Sequence, residues 1–220
     1  MPRTSRAAVG GQCYHLINRG NCRAQIFYDR GDYRRFLALM REAQARVAIE
    51  VFACCLMPNH FHLLARARMG SDFAEWMHWL LTTHVRRHHV FNGSSGRLWQ
   101  GRFKSFPIQE DGQFLTVARY VERNAVRAGL VRCAEEWPWG SLNWRHDPQC
   151  PFPLASSPVP LPGNWTEFVN APQTPEELEA VRVCVNRQRP YGTSAWTAQT
   201  ASQFGLSSSL RPVGRPRKNA

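Results

Sequence analysis

Lysine is nearly absent from this chain: Lys104 and Lys218 are the only two among 28 basic residues, so almost all of the positive charge is guanidinium. Acidic residues are scarce too, 16 in 220, which leaves a formal net charge of +12. An excess of that size says nothing about fold, but it favours polyanionic partners. The planar guanidinium fork suits bidentate contacts to phosphates and base edges. No run of about twenty apolar residues occurs, so no membrane-spanning helix is expected. The opening segment MPRTSRAAVGGQ is basic but has no apolar stretch, so no secretory signal is expected. The seven cysteines are odd in number and include no Cys-x-x-Cys pair. That argues against a disulfide framework or a zinc ribbon and fits a reducing cytoplasm. Cys54 and Cys55, inside an apolar run, read as core residues.

What is present is enough to bury a real core, with room for one good-sized domain and an appendage. Gln12 to Asn18 reads as a strand closed by the turn Arg19-Gly20-Asn21. From Tyr33 to Val47 the apolar residues Phe36, Leu39, Met40, Ala43 and Val47 follow one helical face. Ile49 to Met57 is a buried strand, Pro58-Asn59 breaks it, and His60 to Arg66 starts another. Phe73, Trp76, Met77, Leu80 and His84 return to helical spacing, ending in the basic cluster Arg86-Arg87-His88-His89. Cations at a helix C-terminus are favoured on dipole grounds alone. Arg102 to Ile108 fits an edge strand that Pro107 helps to protect. A third helix is predicted from about Asp111 to Arg127, with Gly129 as its cap.

The order predicts an α+β fold: a ferredoxin-like β-α-β-β-α-β antiparallel sheet, then one more helix and a C-terminal extension. Residues 1–145 would form the main domain. Residues 146–174, carrying six prolines between 148 and 162, read as a linker or wrapping arm. Residues 175–220 read as a helical extension, its helix running from Pro175 to Arg187, with a polar basic tail.

His60-Phe61-His62 is the first chemically informative element. On a strand both imidazoles leave one side and Phe61 packs on the other, a beginning for a metal site that still needs a third ligand. On the third helix Phe114, Val117, Ala118, Val121 and Ala125 form the core face, while Arg119, Arg123 and Arg127 line up as a basic stripe. Tyr120 and Asn124 lie between the two faces, one turn apart. A tyrosine at the border of core and water is commonly a packing residue. With an amide one turn on and guanidinium groups alongside, it can also attack a held phosphodiester.

The segments YHLINRGN (Tyr14 to Asn21), MPNHFHLL (Met57 to Leu64), GRLWQGRFKS (Gly96 to Ser105) and RYVERNAVRAGLV (Arg119 to Val131) resemble, in order, the single-tyrosine HUH transposases. More narrowly they are similar to the bacterial REP-associated tyrosine transposases, and WPWGSLNW (Trp137 to Trp144) fits as well. The resemblance covers Gln12 to Trp144. It implies that Tyr120 is the nucleophile, that His60 and His62 are metal ligands, and that Asn124 is the third ligand. The related insertion-sequence branch more often has Gln at that last position. RNAVR departs from the expected pattern by having Ala125 where proline is usual, a position that shapes the helix. The implied substrate is single-stranded DNA beside short palindromic hairpins (REP-like), handled in the cytoplasm of a bacterium at the nucleoid, by a monomer or homodimer.

The chemistry so implied is attack of the Tyr120 phenolate on a DNA phosphorus, giving a 5′-phosphotyrosine and a free 3′-OH. Two imidazoles and an amide with open positions suit Mg²⁺ or Mn²⁺, which would polarise the phosphate. Arg19, Arg97, Arg102, Lys104, Arg119, Arg123 and Arg127, with Arg215, Arg217 and Lys218 of the tail, are candidates for DNA contact. Trp99 and Phe103 are candidates for stacking on unpaired bases. Three other classes compete. A replication initiator or relaxase needs more chain, and a two-histidine phosphoesterase needs a second motif with a hydroxyl residue. A non-catalytic reader of hairpin DNA is the serious alternative, and it would not need the full set His60, His62, Tyr120 and Asn124.

Overall fold

The computed structural model describes residues 8–147 and 149–211, so the tail residues Arg215, Arg217 and Lys218 lie outside the described residues. β1 (Cys13–Arg19) is followed by α1 (Arg30–Arg46), β2 (Ile49–Met57), β3 (His60–Ala67), α2 (Gly70–Asn92) and β4 (Lys104–Pro107). The strands form one sheet in the order β2-β3-β1-β4, antiparallel at every junction. The α+β, ferredoxin-like expectation is therefore borne out. Its boundaries shift by a few residues, β4 being shorter than the run 102–108.

Because side chains alternate along a strand, residue parity decides the face. Tyr14, Leu16, Leu56, Phe61 and Leu63 meet α1 and α2 in a core with Phe36, Met40, Trp76 and Leu80. Cys13, Cys55, Met57, Leu64 and Phe106 enter a second core with Phe114, Val117 and Val121. With both faces covered, β2 and β3 are buried almost end to end and do not alternate between buried and exposed.

The second core is built by α3 (Gly112–Glu122), α4 (Asn124–Arg127), α5 (Ser141–Arg145), α6 (Trp165–Asn170) and α7 (Pro175–Arg187), with α8 (Ser194–Gln203) beyond. The Asp111 carboxylate caps α3 by accepting from the Gln113 N–H at 2.8 Å. The single helix expected over 111–127 is interrupted at Arg123, whose φ of −82° and ψ of 2° lie outside the helical well. Helical bonds continue on either side, Arg123 N–H to Arg119 O at 2.9 Å and Arg127 N–H to Arg123 O at 3.0 Å. The one-turn spacing of Tyr120 and Asn124 is thereby kept. Gly129, at φ +69°, ends the helical stretch, and the Leu130 N–H reaches back to Ala125 O at 3.0 Å.

Glu122 fixes the angle of α3. Fully buried, its carboxylate accepts from Ser141 Oγ at 2.6 Å, Arg145 Nε at 2.9 Å and Trp165 Nε1 at 2.7 Å. The same Ser141 hydroxyl accepts from the Cys54 N–H at 2.9 Å, which joins α3 and α5 to β2. The sheet edges are also engaged. Tyr191 donates its N–H to Pro107 O at 2.9 Å beside β4, and Leu56 of β2 donates its N–H to Trp139 O at 2.9 Å. Phe152 of the Pro-rich segment is buried in the first core, and Trp165, Val169, Val181, Cys184 and Tyr191 in the second.

Candidate active site

His60 lies opposite Arg19 and His62 opposite Ile17 in the β1–β3 register, and the two imidazole rings are 4.9 Å apart. Phe61 turns to the other face, where it meets Phe36 and Trp99. α3 brings Tyr120 over the sheet with its ring 5.8 Å from that of His62, at 82°. The Arg127 guanidinium stands 4.0 Å from the Tyr120 ring centre, and Nη2 donates to the Tyr120 carbonyl oxygen at 3.3 Å. Asn124 is buried one turn beyond Tyr120, beside Ala125, whose backbone hydrogen-bonds the Cys55 thiol. Cys55 is the cross-strand partner of His62, so α4 lies over the same patch of sheet.

Burial, with Arg19 and Arg127 adding repulsion, pushes the His60 imidazolium down to about 4. Burial also pushes His62 well below its ordinary value, with the neighbouring His15, His60 and arginines acting in the same sense. Both rings are therefore neutral at physiological pH, the form that ligates metal. Their Nδ1 atoms are engaged. His60 Nδ1 meets Asn59 Oδ1 at 2.6 Å, and the Asn59 amide is oriented by its own Nδ2 donating to Arg23 O at 3.0 Å. His62 Nδ1 meets Nε2 of His15 at 2.8 Å. Each pairing leaves Nε2 as the nitrogen still able to bind.

His15 is the residue that sequence reasoning missed. It sits on β1 with no solvent exposure, 4.9 Å from the ring of Phe106 and 6.2 Å from that of Tyr120. A signal existed, since His15 lies two residues before Ile17, which pairs with His62. Seeing it required the β1–β3 register.

Among the described residues, no group of three or more His, Cys, Asp and Glu side chains is arranged to hold a metal. Two imidazoles with an Asn amide are a donor set of the kind that a divalent cation accepts. Among the described residues the buried end of the Asn124 amide has no partner at Nδ2, and a half-turn of the amide would present its carbonyl oxygen there. A buried amide left unmatched costs about 1–3 kcal/mol, so something outside the protein's own hydrogen bonds is expected to engage it.

The candidate DNA contacts divide. Arg19, Arg102 and Lys104, with Asn18 and Gln100, line a cavity of about 240 Å³ that Val185 and Asn186 of α7 close on one side. Arg97 is exposed on the preceding loop. Arg119 and Arg123 are engaged by the protein's own backbone. Arg119 is buried and donates through Nη2 to Ala171 O at 2.7 Å and Pro172 O at 2.9 Å, its guanidinium over the Phe168 ring. Arg123 Nε donates to Asn170 O at 3.3 Å. Both cations serve the free carbonyls at the C-terminus of α6. Arg127 touches Gln173 Oε1 at 3.5 Å, but its other contacts are to Tyr120. Trp99 and Phe103 are engaged by packing: each is only 6% exposed in the first core, and the Trp99 ring meets Phe36, Phe61 and His84. No base can stack on them in this arrangement.

Comparison with known proteins agrees with this fold. The family model described as "Transposase IS200 like" matches residues 8–124, more than half of the chain. A protein of Haemophilus influenzae, whose own assignment as a REP-associated tyrosine transposase is provisional, is 26% identical over 123 residues, covering 51% of this chain and 70% of its own length. A solved REP-associated tyrosine transposase bound to a REP hairpin superposes with a TM-score of 0.56 at 18% identity, over 79% of this chain and 99% of the other. That last likeness is one of fold.

Proposed function

The chain belongs to the IS200-like transposase family, a class of DNA-cleaving and DNA-joining enzymes, and from that premise we propose that it cuts and rejoins single-stranded DNA at hairpins through a tyrosine ester. The observation that carries the proposal is the position of Tyr120, its ring 5.8 Å from that of His62 and 4.0 Å from the Arg127 guanidinium. Hairpin DNA is taken as the substrate class because the solved relative was bound to a REP hairpin.

In the proposed reaction a bond forms between Tyr120 Oη and the DNA phosphorus while the bond from phosphorus to the 3′-oxygen breaks. The phenolic proton leaves, the departing 3′-oxygen takes one up, and a 5′-phosphotyrosine remains. Because an ester replaces an ester, rejoining needs no nucleotide. Arg127 stabilises negative charge at the Tyr120 ring. Arg19, Arg102 and Lys104 draw the strand along the end of β1 and β4. His60, His62 and Asn124 would hold Mg²⁺ or Mn²⁺, which when bound supplies Lewis-acid polarisation of the scissile phosphate.

A second reading, hairpin binding without cleavage, draws on Tyr120 being only 7% exposed. One experiment separates the two. Labelled single-stranded hairpin oligonucleotides are incubated with Mn²⁺ and the protein, and covalent adduct is sought on a denaturing gel. The proposal expects an adduct that Tyr120→Phe abolishes while hairpin binding survives. Binding without adduct in the parent protein would favour the second reading, and an adduct in the Phe variant would mean a different nucleophile.

A further inference from the structure

Three imidazoles, not two, meet beneath Tyr120, and the third has no role in the chemistry above. His15 Nε2 lies 2.8 Å from His62 Nδ1, and its own Nδ1 is buried without a partner among the described residues. A ligand role for His15 is closed: one nitrogen is taken by His62 and the whole residue has no exposure. A pure packing role leaves the contact unexplained, because a phenylalanine would pack as well against Phe106 and Tyr120 without burying two further polar atoms.

The arrangement at His60 supplies the comparison. Asn59 Oδ1 can only accept, since the same amide's Nδ2 donates to Arg23 O, so His60 must carry its proton on Nδ1. Its Nε2 is left with a free lone pair. His62 has the matching contact, but to an imidazole nitrogen that accepts or donates according to tautomer. If His15 donated, His62 would carry its proton on Nε2 and could not ligate. With His15 accepting, both rings of the His-x-His pair offer Nε2 lone pairs on the face where Tyr120 stands.

We infer that His15 is a positioning residue: it accepts from His62 Nδ1–H and so holds His62 in the tautomer and ring orientation that a divalent cation requires. The inference rests on the metal reading of His62 proposed above. It assigns to a strand-β1 imidazole the task that a carboxylate or backbone carbonyl usually performs behind a ligating histidine. It also makes β1 part of the site, through a residue that never touches DNA.

Two variants of the full-length chain test it: His15→Phe, which keeps the ring volume and removes the acceptor, and His15→Gln, whose amide oxygen reaches the same place. The first measurement is Mn²⁺ binding in the absence of DNA, read from the electron paramagnetic resonance signal of free manganese. The Phe variant is expected to bind ~10–100-fold more weakly than the parent, with the Gln variant recovering most of the loss and metal-free hairpin affinity the same in all three. The second is the tautomer of His62 in the metal-free protein, from nitrogen-15 correlation spectra, where the parent is expected to show Nδ1–H. Parent-like manganese binding in a folded His15→Phe protein overturns the inference. So does a parent whose His62 carries its proton on Nε2. Should the parent bind no manganese, the metal reading fails by itself, and the tautomer spectrum still decides what His15 does to His62.

Discussion

The Arg127 guanidinium lies 4.0 Å from the centre of the Tyr120 ring, two helical turns along from the residue it covers. Burial makes that guanidinium easier to deprotonate, and the proximity of Tyr120 works against the loss of its proton. The contact is therefore an electrostatic one in a partly dry setting, where a cation over an aromatic ring is worth about 0.5–2 kcal/mol. Arg127→Ala is expected to slow single-turnover adduct formation by up to about thirtyfold, with a smaller change in hairpin affinity. Equal losses in rate and affinity would reduce Arg127 to a phosphate anchor.

Metal dependence is expected to be complete. Thorough chelation, or His62→Ala in the presence of Mn²⁺, should bring cleavage of the hairpin substrate to background, while far-ultraviolet circular dichroism is unchanged by chelation. Undiminished cleavage in chelator would remove His60, His62 and Asn124 from the chemistry.

Acid should unfold this protein early. Burial lowers His15 and His84 to about 3 and His60 to about 4, with His62 lowered as well. For a depressed imidazole the unfolded chain takes up its proton first, near 6.5. The stability is thus whole above that pH and is lost as pH falls toward 4 and below. Each such group contributes a slope of about 1 kcal/mol per pH unit. Urea midpoints at pH 7, 6 and 5 are expected to fall in that order, and a flat series would contradict the buried, neutral state of these rings.

Glu122→Ala leaves the Arg145 guanidinium with the Phe52 carbonyl but no counter-charge, and leaves Trp165 Nε1 and Ser141 Oγ without their acceptor. Breaking a buried pair from one side costs about 3–5 kcal/mol, so the melting temperature should drop by roughly 10 °C or more. Glu122→Gln, which keeps an acceptor oxygen, should lose less. Equal melting curves for parent and Ala variant would mean that α3 is held by apolar packing alone.

Arg119 and Lys104 should behave as opposites. Arg119→Ala loses charge-assisted bonds to two carbonyls, a stability loss of about 2 kcal/mol, with no change in the salt dependence of hairpin binding. Lys104→Ala should leave stability alone and flatten the slope of log affinity against log salt by about 0.7, one phosphate contact on a single strand. The two titrations, run side by side, check both assignments.

Much of the sheet was legible because parity carries it: His60-Phe61-His62 splits correctly between two faces from three letters of sequence. Ile49–Met57 and Pro175–Arg187 were bounded by their own breakers, Pro58 at one and the Thr174-Pro175 start at the other. The helical stripe of Arg119, Arg123 and Arg127 was legible as a stripe, but its partner was not. Periodicity says that three side chains share a face, and nothing in it says that the carbonyls of residues 170–172 will arrive there from some fifty positions downstream. Trp99 and Phe103 failed for a related reason. In a basic loop an aromatic looks available for stacking, but both rings are drawn into the core, where Trp99 meets Phe61 and Phe36. His15 required the register between β1 and β3, a relation between positions 47 residues apart.

Tyr191 beside β4 and Trp139 beside β2 carry a consequence for self-assembly. A sheet recruits a second copy by lending out a continuous row of unpaired backbone groups, and here Pro107 of β4 and Leu56 of β2 already bond to main chain of the same molecule. A second copy that extended the sheet at either point would first have to displace Tyr191 or Trp139. Pairing through helices or loops carries no such cost. Interface substitutions sought along the outer faces of β2 and β4 should leave the oligomeric state where it was.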